Sequence, residues 1–221
     1  MNGFELIIFD CDGVLVDSER LANQVFAQVL NEECGLSFSL EEMFETFVGY
    51  SSSQCISIVE KMLGHAPPSH LESRYKSEIN AALARDVVAV KGIEKAISEI
   101  SIPICVASSG SHEKMNTTLG KTSLLSYFKG HIFSASEVKH GKPAPDIYKH
   151  AAAAMGVTPS KKCLVIEDSP LGVQGAVAAG MTVFGYAELM KEHRLIDAGA
   201  HHLFNEMKDL SAAIYSYEHE A

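Results

Sequence analysis

Short apolar runs of strand length recur along the chain, and none of them alternates between apolar and polar residues. The four clearest runs are residues 6–9, 104–107, 131–133 and 163–166, and residues 181–184 form a weaker fifth. Continuous apolar runs rich in β-branched and aromatic residues are typical of strands that are buried on both faces of a parallel sheet. The pattern therefore predicts a mostly parallel sheet.

Segments with helical periodicity lie between the predicted strands. They cover residues 92–100, 111–120, 145–155 and 170–179. Gly156 and Gly180 follow the last two of these segments, at the position where helices often end in a left-handed residue. Strands that alternate with helices predict an α/β fold with a doubly wound, mostly parallel sheet.

The stretch between the first and second predicted strands has a different character, because it holds only helical patterns. The predicted helices cover residues 18–33, 40–48, 52–63 and 69–84. Ser39 and Glu42 have the spacing of a capping box at the start of the second helix. The pair Pro67-Pro68 is expected to start the last helix, since proline is common in a first turn.

A helical stretch of this length is more than a connection between two strands. A crossover between parallel strands needs only about a dozen residues, and a chain of 221 residues has room for a core and an insert. We therefore predict an all-helical domain, residues 17–85, inserted into an α/β core made of residues 1–16 and 86–221.

The composition of the chain argues against some classes of partner and indicates a cellular compartment. The chain carries 28 acidic and 18 basic residues, a formal net charge of −10, so it lacks the basic surface that nucleic-acid binding needs. Its five cysteines are odd in number and scattered, which argues against a disulfide framework and a Cys-x-x-Cys metal site. The first apolar run ends at Asp10, too early for a signal peptide or a membrane span. We expect a cytoplasmic protein without nucleic-acid or membrane partners.

Acidic and hydroxyl residues follow three of the predicted strands. These residues are Asp10, Asp12, Ser108, Ser109, Glu167 and Asp168. In an open parallel sheet, ligands bind outside the carboxyl ends of the strands, so all six are expected at one edge. Four carboxylates at one place are unfavourable unless a cation or protons neutralise them, and hard oxygen ligands favour Mg²⁺.

Each of these residues also has an ordinary structural explanation. An aspartate after a strand is usually a turn former or a helix cap, and the same holds for a serine before a helix. Lys142, which precedes another predicted helix, would most often be a solvated loop residue. Acidic groups at two strand ends, a hydroxyl at a third and this lysine together predict a site for a phosphate and its metal.

Four segments carry a resemblance to one enzyme family. They are residues 9–19 (FDCDGVLVDSE), 106–110 (VASSG), 141–146 (GKPAPD) and 165–169 (VIEDS). In these motifs, their order and the helical insert after the first of them, the chain resembles the haloacid dehalogenase superfamily, in its branch of phosphatases and phosphomutases. The resemblance implies a Rossmann-like core with a helical cap that closes over the substrate. Among relatives, the chain looks most similar to phosphatases of small sugar phosphates.

The resemblance also implies a role for each motif residue. Asp10 would attack phosphorus and form an aspartyl-phosphate, and an ordinary aspartate pKa of about 3.9 predicts that it is ionised at neutral pH. Asp12 would protonate the leaving oxygen and later deprotonate the attacking water. The phosphate would be held by Ser108, by Lys142 and by Ser109, which stands where many relatives have asparagine and would act through its backbone N–H. The implied ligands of Mg²⁺ are Asp10, the backbone carbonyl of Asp12, Glu167 and Asp168.

The resulting hypothesis is a Mg²⁺-dependent phosphatase of a small phosphorylated metabolite, such as a sugar or sugar-acid monophosphate. We expect a monomer or a weak homo-oligomer. A phosphomutase on the same scaffold is the first alternative, and a catalytically idle interaction protein is the second. The mutase relatives carry histidine at the place of Ala22 and arginine at the place of Ser52. Neither alanine nor serine can replace those groups, which favours water as the final phosphate acceptor.

Overall fold

The computed structural model describes residues 3–48, 50, 52–158 and 160–220. The chain divides into two compact units. One unit comprises Met1–Val16 and Val88–Ala221, and the other comprises Asp17–Val87. None of the described helices is long and apolar enough to cross a membrane.

The first unit is built on a six-stranded sheet with the strand order β3-β2-β1-β4-β5-β6. The strands are β1 (Leu6–Phe9), β2 (Ile104–Ser108), β3 (Ile132–Ser134), β4 (Cys163–Glu167), β5 (Thr182–Tyr186) and β6 (His202–Phe204). All five neighbouring pairs are parallel. Every residue of β1 and β4 is buried, in agreement with their uninterrupted apolar sequence. The predicted α/β fold with a parallel sheet is confirmed.

The strand order changes direction around β1. This strand pairs with β2 on one side and with β4 on the other, with Phe9 in register with both Val106 and Ile166. The carboxyl ends of the three strands therefore lie at the same level, next to each other. Such a switch point is where open parallel sheets bind their ligands.

The described part of the second unit contains four helices: α1 (Ser18–Cys34), α2 (Leu40–Phe47), α3 (Ser52–Leu63) and α4 (Leu71–Asp86). They enclose a core of buried apolar residues, namely Phe26, Val29, Leu30, Met43, Phe47, Val59 and Leu71. The predicted capping box is present, because Ser39 Oγ accepts from Glu42 N and Glu42 Oε2 accepts from Ser39 N.

The expectation that Pro67-Pro68 starts the last helix is wrong. The helix α4 begins at Leu71, and the Leu71 N–H donates to the Pro68 carbonyl over 3.0 Å. This bond closes a turn that runs from Pro68 to Leu71 over Ser69 and His70, so the helix starts after this turn and not at the prolines.

Six α-helices lie among the residues described for the sheet unit: α5 (Ile93–Glu99), α6 (His112–Lys121), α7 (Asp146–Ala154), α8 (Pro170–Ala178), α9 (Glu192–Asp197) and α10 (Leu210–Glu220). The first four match the predicted helical segments to within one residue at each end. Gly156 and Gly180 have φ angles of 72° and 75°, as expected for left-handed residues after a helix. The last two helices and β6 were not among the predicted segments.

Candidate active site

The residues after β1 form a tight turn that directs two aspartates to the edge of the sheet. The Asp10 N–H continues the sheet by donating to the Ile166 carbonyl over 3.0 Å, and the Asp10 side chain is buried. Gly13 has a φ of +78°, and a Cβ atom on it would lie only 1.9 Å from Asp168 Oδ2. Glycine at this position therefore gives the turn its left-handed residue and also leaves space for a neighbouring carboxylate.

The residues after β4 form a second turn, which buries a glutamate beneath a helix. Ser169 caps α8, since its Oγ accepts from the Gly172 N–H over 3.1 Å. The Glu167 side chain is fully buried, and its Oε2 accepts from both the N–H and the hydroxyl of Ser169. A Cβ atom on Gly172 would lie 1.9 Å from Glu167 Oε1. The sequence Glu-Asp-Ser-Pro-x-Gly thus packs a carboxylate against the first turn of α8.

Lys142 connects the two turns. Its Nζ lies 2.5 Å from Asp10 Oδ1 and 2.5 Å from Glu167 Oε1, and its side chain is almost completely buried. Tyr148 on α7 donates its hydroxyl to the same Glu167 oxygen over 2.7 Å, with its ring centroid 5.1 Å from the ammonium. Burial alone lowers the pKa of Lys142, but the two carboxylates raise it well above its usual range, so the ammonium stays charged.

Three acidic side chains are close enough to share a cation. Asp10, Glu167 and Asp168 each place one carboxylate oxygen within 4.8 Å of the others. An all-oxygen donor set of this kind fits a hard divalent ion such as Mg²⁺. The Glu167 oxygens already accept four hydrogen bonds from the protein. The Asp12 carboxylate is not part of this group, so a contribution from Asp12 to a metal rests on its backbone carbonyl.

The environment of Asp10 differs from the one expected for a free aspartate. Burial raises the pKa of Asp10 to about 7; Lys142 opposes this shift, while the Glu167 and Asp12 carboxylates add to it. The expectation that Asp10 is ionised at neutral pH simply because its ordinary pKa is low is therefore corrected. A nearby divalent cation would favour its ionised form, because a positive charge stabilises a carboxylate.

The two predicted phosphate-binding serines lie at the end of β2. Ser108 is buried, and its Oγ accepts from the Gly110 N–H over 3.0 Å, while Ser109 is exposed. Ser134, at the end of β3, donates its hydroxyl to the Gly110 carbonyl over 2.7 Å and so fixes this loop from the side. Glu137 in turn accepts from the Ser134 N–H over 2.6 Å. Ser134 and Glu137 were not identified from the sequence.

A second lysine, also missed by the sequence analysis, reaches the site. Lys114 Nζ lies 2.8 Å from both Asp12 oxygens. Burial lowers the pKa of Lys114, but the Asp12 carboxylate more than offsets this effect, and the net shift is upward. Lys114 belongs to the first turn of α6, where a cation opposes the helix dipole. That unfavourable placement is a signal in the sequence that could have identified it.

Comparison with known proteins agrees with this geometry. The model of the family described as haloacid dehalogenase-like hydrolase matches residues 7–186. The chain is 34% identical over 185 residues to 6-phosphogluconate phosphatase of Escherichia coli (strain K12), an alignment that covers 83% of both proteins.

Solved structures of haloacid dehalogenase-like proteins are also similar to this chain. A conserved haloacid dehalogenase-like protein of unknown function from Agrobacterium tumefaciens str. C58 has a TM-score of 0.90 and 39% identity, over 98% of this chain and 100% of that one. A HAD family hydrolase from Deinococcus radiodurans R1, with bound phosphate and sodium, has a TM-score of 0.87 and 28% identity, over 99% of this chain and 98% of that one. The chain therefore belongs to the haloacid dehalogenase-like hydrolase family.

Proposed function

We propose that this protein is a Mg²⁺-dependent phosphatase that hydrolyses a small phosphorylated metabolite through an aspartyl-phosphate intermediate. The observation that carries the proposal is the position of Asp10. Its carboxylate lies at the end of the central strand, bound by the buried ammonium of Lys142 and next to the carboxylates of Glu167 and Asp168. The likeness to 6-phosphogluconate phosphatase supports sugar and sugar-acid monophosphates as the first substrates to test.

Two displacements at phosphorus account for the reaction. A carboxylate oxygen of Asp10 attacks phosphorus as the bond to the ester oxygen breaks, and Asp12 supplies the proton that this oxygen takes up. Asp12, now ionised, then removes a proton from a water molecule, which attacks the aspartyl-phosphate. Inorganic phosphate leaves, Asp10 returns as a free carboxylate, and Asp12 regains the proton it had given.

The phosphate itself would be held by groups at the end of β2 and by Lys142, which lies in the loop before α7. Ser108 Oγ already accepts the Gly110 N–H, which directs its own hydroxyl proton elsewhere, and we assign that proton to a phosphoryl oxygen. Lys142 adds a positive charge next to Asp10. Ser109 is assigned a contact through its backbone N–H. Phosphoryl transfer depends mainly on such positioning and charge stabilisation.

Asp10, Asp168, Glu167 and the Asp12 backbone carbonyl are the residues that would hold Mg²⁺. The ion would supply positive charge to the phosphoryl oxygens and the surrounding carboxylates. Among the chain's own residues, Glu167 would have a further task. Because it accepts hydrogen bonds from Lys142, Tyr148 and Ser169, it keeps the lysine aligned with Asp10.

Hydrolysis is proposed in preference to phosphate transfer between two positions of one sugar. Ala22 on α1 cannot relay a proton, and Ser52 at the start of α3 cannot form the forked contacts that arginine makes with phosphate. The test is to supply β-glucose 1-phosphate with a bisphosphate activator and to follow glucose 6-phosphate and inorganic phosphate together. Faster formation of glucose 6-phosphate would reverse this preference.

A screen of phosphorylated metabolites with Mg²⁺ tests the main proposal. We expect phosphate release from small sugar or sugar-acid monophosphates, loss of activity in a chelator, and recovery when Mg²⁺ is restored. Phosphopeptides serve as the contrasting substrate class. Hydrolysis of phosphopeptides alone, or full activity after exhaustive chelation, would contradict the proposal.

A further inference from the structure

One charged side chain at the site has no place in the four sequence motifs. Lys114 extends from the first turn of α6 and brings its Nζ within 2.8 Å of both oxygens of Asp12. The exposed fractions of the two side chains are 35% for Lys114 and 22% for Asp12, so the pair is partly shielded from water. A pair 102 residues apart in sequence reflects the tertiary fold rather than local structure.

The helix itself does not need this lysine. The cap of α6 is formed by Ser111 Oγ, which accepts the backbone N–H of Lys114 over 3.2 Å, and any residue at position 114 would donate that bond. A positive side chain in the first turn also opposes the helix dipole. The location of Lys114 is therefore explained by Asp12 and not by the stability of α6.

Gly110, in the loop after β2, lies next to both groups. A Cβ atom on Gly110 would lie 3.5 Å from Lys114 Cδ, 3.7 Å from Asp12 Oδ2 and 3.3 Å from Ser108 Oγ. The loop that carries the phosphate-binding serine is thus in contact distance of both Lys114 and Asp12.

The charges of the site give the lysine a further reason to be there. Four carboxylates meet at this edge of the sheet, from Asp10, Asp12, Glu167 and Asp168. The Asp12 carboxylate acts unfavourably on that of Asp10. Lys142 and Lys114 together balance two of the four negative charges, and a divalent cation would match the remaining two. Removing Lys114 would take one positive charge away from the Asp12 carboxylate.

We propose that Lys114 is a positioning residue for Asp12, and this inference rests on the proposed phosphatase function. When Asp12 is ionised, the ammonium binds both of its oxygens and holds the carboxylate in one orientation. When Asp12 carries a proton, one oxygen keeps the ammonium while the other gives its proton to the oxygen of the leaving group. The loss of activity on replacing Lys114 should then depend on how strongly that oxygen needs a proton in order to leave. A sugar alkoxide needs a proton to leave, whereas p-nitrophenolate leaves without one.

The experiment compares kcat/KM on these two kinds of ester, because this constant reports the step in which the leaving group departs. The variants are Lys114→Met, which keeps the length of the side chain but not its charge, and Lys114→Arg. Lys121→Met removes a lysine from the exposed end of the same helix and is the matched control. Thermal unfolding of each variant with Mg²⁺ verifies that it is folded.

We expect Lys114→Met to lower kcat/KM for a sugar phosphate by about tenfold or more, a fraction of the usual contribution of a general acid. For p-nitrophenyl phosphate the loss should stay below about threefold. Lys114→Arg should recover most of the activity on the sugar phosphate, and Lys121→Met should match the wild type on both esters. In an Asp12→Asn background, Lys114→Met should cause no further loss on p-nitrophenyl phosphate.

Three results would overturn this role. If Lys114→Met lowered kcat/KM equally for both esters, Lys114 would not act through Asp12. A rise in KM confined to substrates with a second negative charge would make Lys114 a substrate-binding residue instead. A large additional loss in the Asp12→Asn background would lead to the same conclusion. If the wild type hydrolysed neither ester, the proposed phosphatase function would fail, and the role of Lys114 would fail with it.

Discussion

Each of the two units contains a cluster in which one cation faces several carboxylates, and the two clusters differ in burial. On the surface of the helical unit, Arg74 is paired with Glu32, Glu33 and Glu78. In the α/β unit, Lys142 is paired with Asp10 and Glu167, and the exposed fractions of these three side chains are 5%, 10% and 0%.

In the interior cluster, burial outweighs the effect of the cation on the pKa of its carboxylate. At the surface, a hydrogen bond from Arg74 lowers the pKa of Glu33 below its usual range. In the interior, burial raises the pKa of Asp10 to about 7, even though Lys142 lies 2.5 Å away and opposes the shift. Water solvates surface charges in both the folded and the unfolded chain, whereas buried charges lose that solvation on folding. The interior cluster is thus costly to fold, and strongly shifted groups of this kind are concentrated at functional sites.

Removing the nucleophile should give the largest effect. Asp10→Asn keeps the size of the side chain and should lower kcat by about a thousandfold or more, because no aspartyl-phosphate can form. Phosphate release from a sugar phosphate measures the loss. Asp197→Asn, at the exposed end of α9, is the matched control and should keep full activity. Substantial turnover by pure Asp10→Asn protein would remove Asp10 from the role of nucleophile.

Removing the buried cation should affect both activity and stability. Lys142→Met leaves the carboxylates of Asp10 and Glu167 buried without their partner, so we expect the free energy of unfolding to fall by about 3–5 kcal/mol. The activity should fall by about a hundredfold or more, since charge stabilisation of the phosphoryl group is lost. Urea unfolding and phosphate release measure the two effects. A variant as stable as the wild type would show that the interior pair carries no such energetic cost.

The strands and helices that carry the site could be predicted because each has a strong local pattern of apolar and polar residues. Strands β1, β2 and β4 are apolar runs, and their last residues together with those that follow them include all the predicted carboxylates and serines. Helices α5 to α8 were predicted for the same reason. Helix α9 has only six residues, too few to establish a period against its surroundings.

The partners of the motif residues could not be predicted, because long-range packing determines them. Lys114 and Asp12 are 102 residues apart, and Tyr148 and Glu167 are 19 apart. No local pattern of apolar and polar residues connects such pairs. The same holds for the shifted pKa of Asp10, which depends on how deeply the fold buries it.

In the absence of metal, the free energy of unfolding should depend on pH because Asp10 titrates. Its pKa is about 7 in the folded chain and near the ordinary value of 3.8 when unfolded. Between these values the folded state binds more protons, so the free energy of unfolding should decrease as pH rises from about 4 to about 7. Asp10→Asn removes this contribution. In a chelating buffer, the variant should therefore gain stability relative to the wild type between pH 5 and pH 8.

Thermal unfolding of both proteins in parallel isolates this effect, because the remaining titrating groups are common to both. Asp197→Asn should follow the wild type at every pH. Added Mg²⁺ should stabilise the wild type more at pH 8 than at pH 5, since it favours the ionised form of Asp10. Parallel pH profiles for the wild type and Asp10→Asn would contradict the raised pKa.

Replacing the cation of the surface cluster should have the smallest effect on activity and stability. The response of the stability to salt should distinguish this cluster from the interior one. We expect Arg74→Met to keep kcat/KM within about twofold of the wild type and to lower the melting temperature only slightly, because Glu32, Glu33 and Glu78 remain solvated without it. The folded-state pKa of Glu33 is lowered, so the stability that Arg74 provides should be present above about pH 4.5 and lost as pH falls below it.

Ionic strength near 1 M shortens the screening length to about 3 Å and should reduce the difference in stability between Arg74→Met and the wild type. The loss of stability in Lys142→Met should persist in the same salt, because ions do not reach a buried pair. Thermal unfolding of both variants at low and high salt tests the contrast, and an equal response to salt would show that burial does not distinguish the two clusters.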